Sequence, residues 1–273
     1  MNRHSFVICA YKESPYLEAC ILSLKGQSVT SDILMVTSTP NAHIKRLAEK
    51  YEISLFINQG AKGISQDWNF AYHTAKTDYV TIAHQDDLYL REYTENTLSM
   101  LGRSKKPLIF FSDYAELRQG RAVARNRNLS IKRLMLMPLR IRPLQRIQWV
   151  RRRILALGNP ICCPSVTYCR KNLPSSLFSN HFLSNIDWEA WENFSRLPGD
   201  FVYTNKILME HRIHEDSTTT LLIQDQMRWQ EDYRMFCKFW PPFIARFLIR
   251  LYKNSERSNS LDMKQKKSKD RKA

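Results

Sequence analysis

Apolar positions follow two alternating rhythms through the first 112 residues. Phe6-Val7-Ile8-Cys9-Ala10 is a short continuous apolar run, suited to a buried strand. After it, Ser14 offers a helix N-cap and Pro15 a first helical position, where a missing N–H costs nothing. Leu17, Cys20, Ile21 and Leu24 then recur at i, i+3, i+4 and i+7, one apolar helix face that ends at Gly26. The alternation repeats. Residues 33–37 read as strand, Ile44, Leu47, Ala48 and Tyr51 as a helix face, and 53–57 as strand. Trp68, Ala71, Tyr72 and Ala75 mark the next helix, followed by strand at 79–83, helix near 91–101 and strand at 108–112. Strands alternating with amphipathic helices predict an α/β fold: a Rossmann-like, mostly parallel sheet with flanking helices.

In such sheets ligands bind at the carboxyl ends of the strands. That rule singles out Tyr11-Lys12-Glu13, Thr37-Ser38, residues 58–63 and His84-Gln85-Asp86-Asp87. No GxGxxG follows the first strand and no GxxxxGK[ST] occurs, which argues against dinucleotide and P-loop sites. Beyond Ser112 the rhythm degrades. Residues 118–157, interrupted by Pro138 and Pro143, read as short helices or a mobile excursion. Residues 158–168 read as loop and strand, 188–194 as a helical turn, and 221–252 as helices broken at Pro241-Pro242. The lysine-rich stretch 254–273 is expected to be disordered.

Charge sharpens this division. Residues 1–116 hold 12 basic and 13 acidic side chains, whereas the remainder holds 30 and 13 and carries the whole net charge of +16. No carboxylate occurs between Glu116 and Asp187. An anionic partner is expected for this half: nucleic acid, a phospholipid surface or a phosphorylated substrate. The six cysteines show neither a disulfide framework nor CxxC zinc spacing. Met1-Asn2-Arg3-His4 runs straight into a strand, without signal-peptide features, and no apolar run nears the roughly 20 residues that span a bilayer. The expectation is a cytoplasmic protein with reduced thiols, peripheral contact with the inner face of the cell membrane being left open.

The strongest chemical signal is His84-Gln85-Asp86-Asp87. Adjacent carboxylates directly after a buried strand cannot both stay unpaired in a core. At the strand's carboxyl end they face the ligand crevice, where hard oxygen atoms suit Mg²⁺ or Mn²⁺. The plainer alternative is a solvated turn in which Asp87 caps the next helix.

With these residues in view, the chain resembles family 2 glycosyltransferases of the GT-A fold. Residues 6–28, from Phe-Val-Ile-Cys-Ala-Tyr-Lys-Glu to Gly-Gln-Ser, look like the family's first strand, turn and helix. Residues 60–69 resemble its nucleotide-contacting segment, and His84 to Asp87 takes the place of its Asp-x-Asp-Asp metal motif. The resemblance implies that Ala10, Tyr11 and Glu13 line the base and ribose, joined by Ser38, Gly63, Asp67, Gln85 and Asp86 around the nucleotide-sugar. It implies Mn²⁺ or Mg²⁺ on Asp86, with Asp87 beside it. Two departures stand out. Thr37-Ser38 replaces an aspartate that usually holds the base, and His84 replaces the first aspartate of the metal motif.

Asp187, in Asn-Ile-Asp-Trp-Glu-Ala-Trp-Glu, matches the family's catalytic base, with Glu189 as substitute. It also reads as a helix N-cap followed by acidic first-turn residues. Residues 159–165 resemble the loop beneath the donor sugar and acceptor, or form a plain turn. A late histidine, His214 or His211, would complete the metal shell, although on one strand the two would face opposite sides. Trp240, Phe243, Phe247 and Leu248, with Leu251 and Tyr252, lie among Arg246, Arg250 and Lys253. They suit an interfacial helix on anionic lipid and equally a helix packed on its own domain. No nucleic-acid module accompanies these arginines and aromatics.

The expected organisation is a GT-A domain at 1–220, with a nucleotide-sugar half (1–116) and an acceptor half (117–220) bearing the basic excursion. A helical extension (221–253) and a basic tail (254–273) follow. The expected reaction is metal-dependent transfer, with inversion, from a nucleotide-sugar, UDP-linked, to a glycan acceptor in surface polysaccharide assembly, a lipid-linked acceptor being left open. The alternatives are a sugar-phosphate nucleotidyltransferase and a non-catalytic lipid- or nucleic-acid-binding protein.

Overall fold

The computed structural model describes residues 3–214 and 226–250. The expected tail at 254–273, together with Leu251, Tyr252 and Lys253, lies outside the described residues. The first apolar run forms β1 (His4–Ala10) and pairs in parallel with β2 (Asp32–Thr37) and β4 (Tyr79–His84). β3 (Ser54–Ile57) continues the parallel set beside β2. Further strands are β5 (Leu88–Tyr89), β6 (Pro107–Arg118), β7 (Arg121–Val123), β8 (Thr167–Cys169) and β9 (Asp200–Ile213). Their order is β3-β2-β1-β4-β8-β6-β9-β5, with β7 paired to β6.

The sheet is less uniformly parallel than the sequence predicts. β8 runs antiparallel to both β4 and β6, so β6 and its parallel neighbour β9 point the same way as β1 to β4. The carboxyl ends of β1, β2, β4, β6 and β9 therefore share one edge, where a ligand crevice belongs. β6 also outruns its predicted end at Ser112, because Tyr114, Ala115 and Leu117 continue the burial. Its register against β9 shifts at Ser112/Asp113, a bulge-like irregularity that bends the long pair.

Helices α1 (Leu17–Lys25), α2 (Ala42–Lys50), α3 (Ile64–Thr74) and α4 (Tyr93–Leu101) cover the sheet. The face predicted for α1 is the buried one: Leu17, Cys20, Ile21 and Leu24. Its start differs from expectation. Ser14 Oγ accepts the Tyr16 N–H at 3.3 Å, closing a turn before the helix, and Pro15 stays outside it. The basic excursion is a set of short helices: α5 (Arg127–Leu136), two proline-led 3-10 turns (Met137–Arg140 and Arg142–Arg146) and α6 (Gln148–Arg153). After β8 come α7 (Ile186–Ser195), α8 (Gln226–Cys237) and α9 (242–250). Among the described residues no helix is long and apolar enough to cross a membrane.

Two apolar clusters fill the faces of the sheet, one under α1, α2 and α4, the other under α3 and the later helices. Trp188, Trp191, Met235, Phe236 and Ala245 share the second cluster, so α8 and α9 complete the main core. Gly199, at the entry to β9, has φ +153°, and a Cβ there would lie 2.7 Å from both Leu108 Cγ and the Lys106 carbonyl oxygen. Strain and overpacking act together at that point. Gly199→Ala is expected to cost about 2–5 kcal/mol, read as a lower midpoint in urea unfolding with an unchanged slope.

Candidate active site

The strand ends are tied together by side chains that bridge distant parts of the sequence. After β1 the chain turns outward, leaving Ala10 buried and Tyr11 and Glu13 exposed. Gln85 holds this turn. Its Oε1 accepts the Tyr11 N–H and its Nε2 donates to the Tyr11 carbonyl, both at 2.9 Å. One Gln85 N–H and one lone pair of its Oε1 thereby position Tyr11. Lys12, at φ +52°, donates its N–H to Thr39 Oγ1 at 2.7 Å and joins the β1 turn to the end of β2.

A second tie forms between β2, β3 and α3. Gly63, at φ +140°, opens α3 in a conformation that favours glycine. One turn on, Asp67 Oδ2 accepts from Ser38 Oγ at 2.7 Å and Oδ1 from Asn58 Nδ2 at 2.8 Å. A carboxylate is therefore delivered to the end of β2, where the sequence itself has only Thr37-Ser38.

The acidic pair lies beyond β4. His84, Asp86 and Asp87 bring ligand atoms within 4.8 Å of one another. The two carboxylates differ sharply in access. The Asp87 side chain is 0% exposed; its Oδ1 accepts the Arg212 N–H at 2.8 Å and lies 3.0 Å from His211 Nδ1. The Asp86 side chain is 21% exposed, and its Oδ2 lies 2.8 Å from His214 Nε2. The two histidines lie against different rings: His214, with Arg212, against Tyr16, and His211 against Tyr114. His211 meets Asp87, and His214 meets Asp86. β5, paired with β9 at Leu88↔Glu210, clamps the acidic turn against this end of β9.

Electrostatics follow from these neighbours. Burial pushes Asp86 up, but His84, His214 and His211 outweigh it and hold the carboxyl below its usual range. Burial would lower His211, yet Asp87 prevails and raises it. Within this acidic turn two buried side-chain atoms lack a hydrogen-bond partner, Asp87 Oδ2 and His84 Nε2. Unpartnered buried donors and acceptors are costly and ask for an explanation. Carboxylate oxygens and imidazole nitrogens at one strand end suit a divalent cation of the Mn²⁺ or Mg²⁺ type.

Asp187 sits in the first turn of α7. It is not the N-cap, a position held by Asn185 without a side-chain cap bond. Its Oδ1 accepts the Trp188 N–H at 2.8 Å and its Oδ2 accepts from Asn159 Nδ2 at 2.7 Å. Burial raises its pKa above the usual aspartate value, against those two bonds and the nearby charges of Lys132 and His84. The loop at 159–165 is accordingly more than a turn. Its Pro164 and Ser165 carbonyls are pinned by the Tyr89 and Tyr93 hydroxyls, and it delivers Asn159 to Asp187.

Glu189 has different work. Two residues along a helix is about 200° around it, so it faces away from Asp187. It binds Lys238 Nζ at 2.7 Å and the Ser179 hydroxyl, beside His181. Burial would raise its pKa, but Lys238 and Ser179 hold it below the usual range. Sequence reasoning also missed Arg212. Its Nε donates to the Asp86 carbonyl at 2.8 Å and its guanidinium lies 4.2 Å over the Tyr16 ring. The alternation that separated His211 from His214 could have found it, since Arg212 shares the His214 side.

The family model described as Glycosyl transferase family 2 matches residues 5–168. A search of curated proteins found no match. Among solved structures, residues 1–349 of TarS from S. aureus align with a TM-score of 0.55 at 13% identity, covering 91% of this chain and 69% of that one. The same fragment is known in complex with UDP-GlcNAc. The chain spans 42% of the longer TarS structure. The mannosyltransferase PcManGT from Pyrobaculum calidifontis, in complex with GDP-Man and Mn²⁺, aligns with a TM-score of 0.60 at 15% identity, over 90% of this chain and 68% of that one. Glucosyl-3-phosphoglycerate synthase from Mycobacterium tuberculosis, with Mg²⁺ and UDP, gives 0.53 at 14% identity, over 81% and 76%. Identities this low establish the fold, and the family match runs over more than half of the residues: the chain belongs to glycosyl transferase family 2 and is a glycosyltransferase of the GT-A fold.

Proposed function

We propose that the enzyme transfers a sugar, with inversion, from a UDP-linked donor to a glycan hydroxyl, with Asp187 as the base. The observation that carries this reading is the placement of Asp187. It is a half-buried carboxylate of raised pKa, aimed by Asn159 and the Trp188 N–H, within electrostatic reach of His84. An alcohol is a weak nucleophile. A carboxylate that takes its proton as the new bond to the anomeric carbon forms lowers the barrier, while the bond to the nucleoside diphosphate breaks. Asp86 and His214 would hold a divalent cation, with the unpartnered oxygen of Asp87 behind them. When bound, it supplies positive charge opposite the departing diphosphate. UDP-GlcNAc and UDP in two similar structures support the donor, and Mn²⁺ and Mg²⁺ in two support the cation.

Asp67 serves as the base-reading carboxylate in this proposal. Uracil offers a ring N–H between two carbonyl oxygens, and Asp67, held by Ser38 and Asn58, is an acceptor at the end of β2. Tyr11, 51% exposed and steadied through Gln85, supplies an aromatic face at the end of β1. The acceptor half is basic, which fits a lipid-linked glycan at the cytoplasmic face of a membrane, as surface polysaccharide assembly requires. Thermal unfolding with nucleoside diphosphates and Mn²⁺ tests the donor assignment. UDP at about 100 times its Kd should add about 2.7 kcal/mol, a rise of roughly 5–10 °C. Asp67→Ala should erase the preference for UDP over GDP. No shift with any nucleoside diphosphate would overturn the donor reading, and an unchanged preference would move base recognition off Asp67.

A further inference from the structure

Helix α9 has two apolar faces that are put to different use. Ala245 is fully buried, and Leu248 and Ile249 lie partly buried against the core. The opposite stripe is Phe243, Arg246, Phe247 and Arg250, at i, i+3, i+4 and i+7, and all four are exposed. Phe243 shows 72% of its surface and Phe247 60%. A solvent-facing helix stripe is ordinarily polar. Two outward phenylalanines one turn apart, flanked only by arginines, mark a helix that lies in an interface.

The surface continues onto α6. Trp240, just before α9, donates its indole N–H to the Ala156 carbonyl at 2.6 Å. The Arg153 guanidinium lies 5.2 Å from the Trp240 ring and 5.6 Å from the Trp149 ring, joining the two elements. Trp149 is 66% exposed and Leu157 53%. No carboxylate occurs in residues 117–186 or in 241–250. Apolar points and cations thus alternate along two acid-free stretches.

We propose that this face docks the enzyme on an anionic phospholipid bilayer. The aromatic side chains enter the boundary between headgroups and acyl chains, and Arg153, Arg246 and Arg250 meet lipid phosphates. Charge excludes the nearer occupants. Residues 251–273 hold eight basic and three acidic side chains, so this segment does not complement the stripe. A second copy would set arginine against arginine. The face also backs the site: Trp188, next to Asp187, packs on Phe236 and Phe239 and donates to the Leu155 carbonyl. Docking would bring the base-bearing helix close to the lipid. The inference deepens the lipid-linked acceptor reading, yet vesicle binding is measured without donor or acceptor, so it stands or falls apart from the transfer chemistry.

Co-sedimentation of the full chain with phosphatidylcholine vesicles, with and without phosphatidylglycerol, decides it. Binding should require phosphatidylglycerol and fall with salt, since screening tightens from about 10 Å at 0.1 M to about 3 Å at 1 M. Phe243→Ser/Phe247→Ser should lower partitioning by at least about tenfold. Arg246→Gln/Arg250→Gln should lower it by about fivefold per arginine at low salt. The four positions are exposed, so the variants should melt with wild type; truncation would instead strip Ala245 from the core. Three results would overturn the proposal. They are equal binding to neutral vesicles at high salt, RNA binding without vesicle binding, and a dimer that the phenylalanine variant turns into a monomer.

Discussion

Asp187→Asn is expected to lower kcat by about 10²–10⁴ on the natural acceptor while donor affinity stays within about twofold. Structural loss cannot account for a drop of that size. The Trp188 N–H keeps its acceptor in the variant. Asn159 cannot simply flip to suit the new amide, because its Oδ1 already accepts the Ile161 N–H at 3.2 Å. One hydrogen bond is therefore lost, about 1 kcal/mol. Relief of burial acts in the other direction. Asp187 binds its proton more tightly folded than unfolded, since burial raises its pKa. The stability it contributes is full below the ordinary aspartate pKa and is lost as pH rises to the folded value. The melting temperature of Asp187→Asn, relative to wild type, should thus improve as pH passes through that window. For the same reason the acid limb of kcat/KM should lie above the ordinary aspartate range. Turnover within about threefold of wild type would remove Asp187 as base. Glu189 would not inherit the role, since Lys238 and Ser179 hold it on another side of α7.

The parts of this fold that were legible in the sequence are those set by local periodicity. β1 reads as a strand because five apolar residues in a row have no polar face to expose, and α1 because its apolar positions recur at helical spacing. Family membership follows from the order of such segments with the acidic turn after β4, and it removes the nucleotidyltransferase and non-catalytic alternatives. What was not legible depends on contacts between distant segments. Asp67 reads as a nucleotide-side residue, but nothing near Ser38 announces that the Asp67 carboxylate, 29 positions later, binds its hydroxyl. His214 meets Asp86 across 128 positions of sequence, a contact that no local pattern foresees. Gln85 reads as a ligand contact because it sits in the acidic motif, and its hold on the Tyr11 backbone is a further role that the motif does not announce. In the C-terminal helix, the sequence offered lipid docking and self-packing as alternatives. α9 has one apolar face for the core and another that remains exposed.

Asp86→Ala should remove the Mn²⁺-dependent increment in UDP affinity, about 100-fold or more, while leaving metal-free UDP binding and the fold intact. The basis is the unequal burial of the acidic pair. Asp86 reaches the crevice, and its side-chain partner is His214, itself a candidate ligand. Losing it frees a histidine but opens no part of the core. Asp87 provides the contrast. It is fully buried and holds both the Arg212 N–H and His211 at the end of β9. Asp87→Ala should therefore cost on the order of 3 kcal/mol of stability as well as metal binding. His214→Ala should lower metal affinity by about 10–100-fold without that loss. Calorimetric titration of UDP into each variant, with and without Mn²⁺, separates the cases, and urea unfolding gives the stability arm. If Asp86→Ala keeps the full Mn²⁺-assisted affinity, the cation sits elsewhere. If it also loses metal-free UDP binding, Asp86 contacts the nucleotide itself, and the division of labour between Asp86 and Asp67 proposed above is wrong.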